Sequence, residues 1–308
     1  YKPAKQLQMA KEECSHLILR PGELHMVMAF LRTIGSYIEN NGLDLCWIEG
    51  DLYGSATVKQ ILEGRHVKRG IAAHLTSLQA LFTLYAEAFF NDKADLFNEC
   101  ANKVHHLNQA CKDGNEEEIQ KAHSDMMHTI VTLDIVSQMS KFDEHVTNNP
   151  LAKAIRQYMK MVLEMLMYIR AVRTGDWQLH LDATEAFVKY FFAHDKLNYA
   201  RLTPVYLADM KALPQTDPEV WNEFREGNWV VNKNTIPFCA IGPDHALEQI
   251  NRMMKVAGGL IGITLNPFAR TKFFLAAPEL ARLEEAKNMA GLPKTEAKHH
   301  HELTKAKE

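Results

Sequence analysis

Asp244 and Glu248 stand four residues apart in the run Asp244-His245-Ala246-Leu247-Glu248-Gln249, directly after Pro243. On a helix that spacing puts both carboxylates on one face. Hard oxygen ligands grouped in this way suit Mg²⁺ or Mn²⁺, and two-metal phosphoryl transfer recruits its acids from separated segments of a chain. Asp244 and Glu248 are therefore candidate metal ligands. Spacing alone favours a plainer account, a helix-capping Asp followed by a solvated Glu.

Cations that could track a phosphate backbone fall in three places. Arg65, His66, Lys68 and Arg69 form the densest basic cluster, Arg252 and Lys255 follow Glu248, and Arg201 closes the run His194-Asp195-x-x-Asn198-Tyr199-Ala200-Arg201. A guanidinium grips phosphate with two parallel hydrogen bonds, but Arg201 could equally pair with Asp195 or Asp209, and a charge run is commonly a solvated helix face. Histidine is abundant, at 15 residues, yet its spacing discourages metal binding. His105 and His106 are adjacent, and His123 and His128 are five apart, so neither pair shares a helix face as an i,i+4 pair does. These histidines read as surface residues. The triplet His299-His300-His301 lies in a charged tail without a fixed second shell. The chain holds no Gly-x-Gly-x-x-Gly, no Gly-Lys-Ser/Thr phosphate loop and no Gly-x-Ser-x-Gly elbow. Gly258-Gly259 with Gly262 reads as a turn beside packed structure.

The 308 residues carry 35 Lys and Arg against 38 Asp and Glu, a formal net charge of -3, so any nucleic-acid surface must be local. With 46% hydrophobic and 24% charged residues, the composition is that of a folded chain rather than a disordered or membrane one. Five cysteines at 14, 46, 100, 111 and 239 form no Cys-x-x-Cys pair and are expected to be reduced, structural and intracellular. The Met-rich stretch from Tyr158 to Val172 is interrupted by Lys160, Glu164 and Arg170, so no membrane span is expected. The start at Tyr1, without a basic and apolar leader, reads as a truncation without a secretory signal.

The elements that must position these groups are mostly helical. Ala4 to Cys14 reads as a helix, Leu17 to Arg20 as a short buried strand closed by Pro21-Gly22, and Glu23 to Ile38 as a helix with an apolar period. Ser55 is expected to cap a helix that stops at Gly64. Ile71, Leu75, Leu78, Phe82, Tyr85 and Phe89 form one seam, and Ile155, Met159, Val162, Leu166 and Ile169 another. After Asp195 six prolines divide the chain, and strands are expected at Trp229 to Val231 and Phe238 to Ile241. The fold class expected is mainly α with small α/β parts. Its divisions are 1–65 as an N-terminal α/β part, 66–195 as an all-helical insertion, 196–291 as a C-terminal α/β part, and 292–308 as a charged flexible tail.

Several phrases in order carry a resemblance: Arg-Pro-Gly-Glu-Leu-His at 20–25, Phe-Leu-Arg-Thr-Ile-Gly at 30–35, Gly-Leu-Asp-Leu-Cys-Trp-Ile-Glu at 42–49 and Ile-Leu-Glu-Gly-Arg-His at 61–66. Asn-Tyr-Ala-Arg at 198–201, Pro-Val-Tyr-Leu-Ala-Asp-Met at 204–210 and Asp-His-Ala-Leu-Glu-Gln at 244–249 follow. Together they resemble a multicopy, transposon-derived, largely uncharacterised family of animal genomes. The resemblance implies a partial RNase H-like core interrupted by the helical insertion, with acids that bind Mg²⁺ or Mn²⁺ for DNA strand cleavage and transfer. It makes Glu248 the last acid and places His25 beside the same site. It also implies DNA as partner, a nuclear location, and the function of a transposase-like DNA-processing protein. The family pattern carries an Asp shortly before the Tyr matching Tyr1, and Glu-Gln-Ile-Asn at 248–251 is one residue shorter than its usual form. The chain is therefore expected to be a C-terminal fragment, inactive and metal-free by itself, since a lone acid assembles no two-metal site. The alternative is a non-catalytic helical scaffold that binds protein or a second copy through its apolar seams.

Overall fold

A computed structural model of the chain describes residues 2–10, 17–39, 41–232, 234, 236–254 and 282. Among them, the helices in chain order are α1 (Lys2–Ala10), α2 (Glu23–Ile38), α3 (Leu43–Glu49), α4 (Ser55–Leu62), α5 (Val67–Phe90), α6 (Ala94–Asp113) and α7 (Glu116–Thr132). They continue with α8 (Ile135–Val146), α9 (Pro150–Thr174), α10 (Trp177–Ala193), α11 (Leu197–Thr216), α12 (Pro218–Arg225) and α13 (Pro243–Met254). The protein is mostly helical, and contacts divide it into a unit of Tyr1–Ala240 and a second of Ile241–Glu308.

In the first unit α2 is the central element, packed on α4, α5, α9 and α10. Its apolar period continues nearly all round, so Met26, Phe30, Leu31 and Ile34 are fully buried, as expected of a helix inside a bundle. Phe30 stacks on Phe187 of α10 at 3.7 Å between centroids and meets Tyr190 and Phe191 edge-on. The helix ends are set locally. Asn149 accepts from the Leu151 and Ala152 N–H groups ahead of α9, where Pro150 takes the first helical position, and Gly175 ends that helix at a φ of 73°. Asp176 and Asp217 cap α10 and α12 in the same manner. Ser55 opens α4 from inside, and Gly54 holds the cap position instead.

The seam expected along α5 is buried at Leu78 and Phe89 only, while Leu75 and Phe82 stay partly exposed. Phe89 and Tyr85 meet Phe142 of α8, and Arg156 of α9 pairs with Asp143 and lies 4.9 Å over the Tyr85 ring.

No strand forms among the described residues, which corrects three expectations. Leu17 to Arg20 has no regular structure. Its apolar side chains line a cleft with Met210 and Leu213 of α11, the Leu17 carbonyl accepts from Gln8, and no second strand satisfies a ladder. Trp229 is apolar because it enters an aromatic cluster with Trp177 and His180, and its indole N–H donates to the Gly175 carbonyl at 2.8 Å. Phe238 has a left-handed φ of 64° and an exposed ring, which no strand position provides. Nor do all the prolines break the chain as expected: Pro218 and Pro243 open α12 and α13, but α11 runs through Pro204 and Pro214. A helix-interior proline costs about 3 kcal/mol, and α11 offsets it by burying Thr203, Tyr206, Leu207, Met210 and Leu213. Gly258 to Ile263 and the tail from Leu292 lie outside the described residues.

Candidate nucleic-acid interface

Segments singled out in the sequence converge on the outward edge of α2. The 30–35 and 61–66 phrases touch backbone to backbone: Gly64, at a φ of 67°, lies against Met28 and Arg32, and a Cβ there would come 2.7 Å from the Met28 carbonyl oxygen. A Cβ on Gly35 would collide with Leu62. This approach sets Arg32 beside the end of α4, where its Nε donates to the Glu63 carbonyl at 3.1 Å. The 198–201 phrase closes the other side, with the Tyr199 hydroxyl donating to the His25 carbonyl at 3.3 Å.

His25, Arg32 and Ser36 follow one another along the exposed stripe of α2. The α10–α11 turn, with Asp195 at a φ of 52°, brings Lys196 onto that stripe. Lys196 Nζ donates to Ser36 Oγ at 3.1 Å, while the Ser36 hydroxyl donates to the Arg32 carbonyl at 2.9 Å. Burial pushes the Lys196 ammonium below its usual range, and the Arg32 guanidinium adds to that while Asp195 opposes it. His194, edge-on to Tyr37 at 6.0 Å, is lowered by burial and by Lys196, again against Asp195. Arg65 lies in the turn before α5 and pairs with the Glu63 carboxylate at 2.9 Å. The edge thus gathers Arg32, Arg65 and Lys196, and Glu63 is the carboxylate that pairs with one of them.

Of the residues anticipated from sequence, His25 and Arg65 belong to this edge. Lys68 and Arg69 occupy the exposed first turn of α5, whose Gly70 packs on Leu31, and Arg201 is exposed early in α11. Asp244, Glu248 and Arg252 lie on α13 in the second unit, and Lys255 is outside the described residues. Gly242, not Asp244, holds the cap position of α13: its carbonyl accepts from Ala246 N–H at 3.0 Å. Asp244 sits inside the first turn and accepts from the His245 N–H at 2.8 Å, and Glu248 is exposed. Carboxylate oxygens suit Mg²⁺ or Mn²⁺, but two on one helix do not close a two-metal site, and no third described His, Cys, Asp or Glu gathers with them.

Sequence reasoning missed Arg32 and Lys196, which stand out only once Ser36 and Glu63 are seen beside them. It also missed the buried polar groups that hold α2. Arg20 pairs with Glu23 across the Pro21-Gly22 turn, both nearly enclosed, and donates to the Trp229 carbonyl at 3.0 Å. Its guanidinium lies 5.1 Å from the Phe224 and Trp229 rings and 5.7 Å from Trp177. His105, His106, His123 and His128 are exposed, whereas His74 and His180 are fully buried. His74 Nδ1 meets the Tyr158 hydroxyl at 3.0 Å, and His180 Nε2 meets that of Tyr206 at 3.0 Å. Burial pushes His74 down to about 3 and His180 well below the imidazole range.

Among the described residues no helix is long and apolar enough to cross a membrane. One protein family, described as Domain of unknown function (DUF8702), matches residues 1–308. No curated protein and no solved structure matches the chain.

Proposed function

The chain belongs to the DUF8702 family, and we propose that it is the DNA-contacting part of a transposon-derived, transposase-like DNA-processing protein, which holds DNA without cutting it by itself. The observation that supports this reading is the edge of α2, where phrases carrying the resemblance meet and Arg32 and Lys196 are held by neutral acceptors. Cations left without carboxylate partners favour an anionic ligand, and a nucleic-acid backbone supplies one. Lys68, Arg69 and Arg201 are further exposed cations of the first unit and Arg252 is one of the second, each a candidate backbone contact in its own unit; Lys255 lies outside the described residues. The RNase H-like core, the nuclear location and Glu248 as a remnant acid are parts of this proposal that rest on the resemblance.

The test is incubation of the full chain with labelled duplex DNA and supercoiled plasmid, in Mg²⁺ or Mn²⁺. Binding without nicking is expected. Absence of binding at low salt would overturn the reading, and nicking abolished by Glu248→Gln would overturn its non-cutting half.

The scaffold reading keeps one observation in its favour: Val131 of α7 and Val136 of α8 are 73% and 69% exposed. Sedimentation of the wild type against Val131→Asp and Val136→Asp tests it, with concentration-dependent self-association lost in both variants as the expected result. If the wild type sediments as a monomer at all concentrations, this reading fails.

A further inference from the structure

We propose that Arg32 and Lys196 form a seat for one phosphate group on the outward edge of α2, with Ser36 as the positioning residue for Lys196. The proposal deepens the nucleic-acid reading and depends on it only for the source of the phosphate. Arg32 Nε is engaged by the Glu63 carbonyl, which fixes the guanidinium plane. Its two Nη nitrogens have no partner among the described residues, and they are the edge that meets two oxyanion oxygens side by side. Lys196 is half-buried, and its hydrogen bond runs to Ser36 Oγ rather than to a carboxylate. The hydroxyl hydrogen of Ser36 is used on the Arg32 carbonyl, so its oxygen is left to hold the ammonium in one direction.

Two cations drawn together, one of them partly desolvated, repel each other unless an anion joins them. Asp195 opposes this repulsion at Lys196 only in part, since burial and Arg32 still prevail there. The Glu63 carboxylate is taken by Arg65. A carboxylate ligand has two oxygens and fills the Arg32 fork alone, whereas a phosphate has further oxygens for Lys196 and so satisfies both groups. The ligand class is therefore a phosphate ester or free phosphate, bound without covalent chemistry.

Inorganic phosphate titrated into the full chain and followed by phosphorus NMR tests the seat. The variants are Arg32→Gln, Lys196→Gln and Ser36→Ala, with Lys112→Gln at the exposed end of α6 as a control of equal charge change. Loss of one charged hydrogen-bond partner is expected to weaken phosphate about tenfold in Arg32→Gln and in Lys196→Gln. Ser36→Ala should weaken it less, with Ser36→Thr restoring it, and Lys112→Gln should leave it unchanged. Arg32→Lys keeps the charge without the fork and is expected to fall between wild type and Arg32→Gln, which covers the case in which the Gln variant folds poorly. No binding of millimolar phosphate, or equal weakening in the control, overturns the seat whatever the protein does with DNA. Competition by a duplex oligonucleotide then identifies the source. If the duplex displaces phosphate with the same variant pattern, the seat is for a backbone phosphate. If phosphate binds and the duplex does not, the seat stands for a free phosphate or small phosphate ester and the DNA reading falls.

Discussion

Gly35 of α2 faces Leu62 of α4 so closely that a methyl group on it would lie 2.2 Å from the Leu62 carbonyl oxygen. The contact is backbone against backbone, with no flexible side chain to give way. Gly35→Ala must therefore move α4, and is expected to cost about 3 kcal/mol, at the upper end for overpacking. Gly54 has open space around it and a φ of -67°, so Gly54→Ala should shift stability by about 0.5 kcal/mol or less in either direction. Urea unfolding of the two variants checks the contrast, with equal slopes and separated midpoints expected.

The ion pair of Arg20 and Glu23 sits at the entrance to α2 among Trp177, Phe224 and Trp229. Removing one member leaves a charge enclosed without its partner, so Glu23→Ala is expected to destabilise by about 3 kcal/mol or more. Replacing both residues by apolar ones, Arg20→Met with Glu23→Leu, should cost less than Glu23→Ala alone. Chemical unfolding of the single and double variants measures the difference.

His74 and His180 give the fold a dependence on acid. Both stay neutral when buried, His74 down to about 3 against an ordinary 6.5, while the unfolded chain protonates them below that ordinary value. The unfolded state then binds more protons, so the contribution is complete above about pH 6.5 and is lost as pH falls below it. Each histidine is expected to contribute about 1.4 kcal/mol per pH unit between pH 6 and 5. His74→Gln should remove its share of that slope, which unfolding curves at several pH values will reveal.

Phe82 and Phe89 lie on the same expected seam of α5 but differ in setting. Phe89 is enclosed against Phe90 and Phe142, with Lys93 Nζ 4.7 Å over its ring, whereas Phe82 is 37% exposed. Phe89→Ala is expected to cost about 3 kcal/mol or more, and Phe82→Asp about 1 kcal/mol or less. Thermal melting followed by circular dichroism separates them. The charged Phe82 variant is therefore usable as a probe of self-association, and a charged Phe89 variant is not.

The helices were legible where one apolar period decides the outcome. Val27, Leu31, Ile34 and Ile38 mark α2, and Met159 and Val162 mark α9. Short apolar runs were not, because four residues such as Leu17 to Arg20 fit a strand or a covering segment equally well. Trp229 belongs to a cluster built around Trp177, and no local pattern announces a partner so distant in sequence. The same holds for the basic edge. Arg65 was visible as part of a dense run, but Ser36 and Lys196 are 160 residues apart, and their meeting depends on how α2, α10 and α11 pack. The acids of α13 were legible as a helical pair, while the cap fell on Gly242 because Pro243 already takes the first helical position.

The most direct measurement is the salt dependence of duplex DNA affinity for the full chain, read by fluorescence anisotropy, for wild type and for the combined variant Arg32→Gln, Arg65→Gln and Lys196→Gln. Each backbone contact releases about one counterion, so wild type should bind with a steep salt slope and the triple variant should lower that slope by about 2 to 3. Lys112→Gln should leave it unchanged. Equal slopes and affinities for wild type and the triple variant would contradict a nucleic-acid role for this edge of α2.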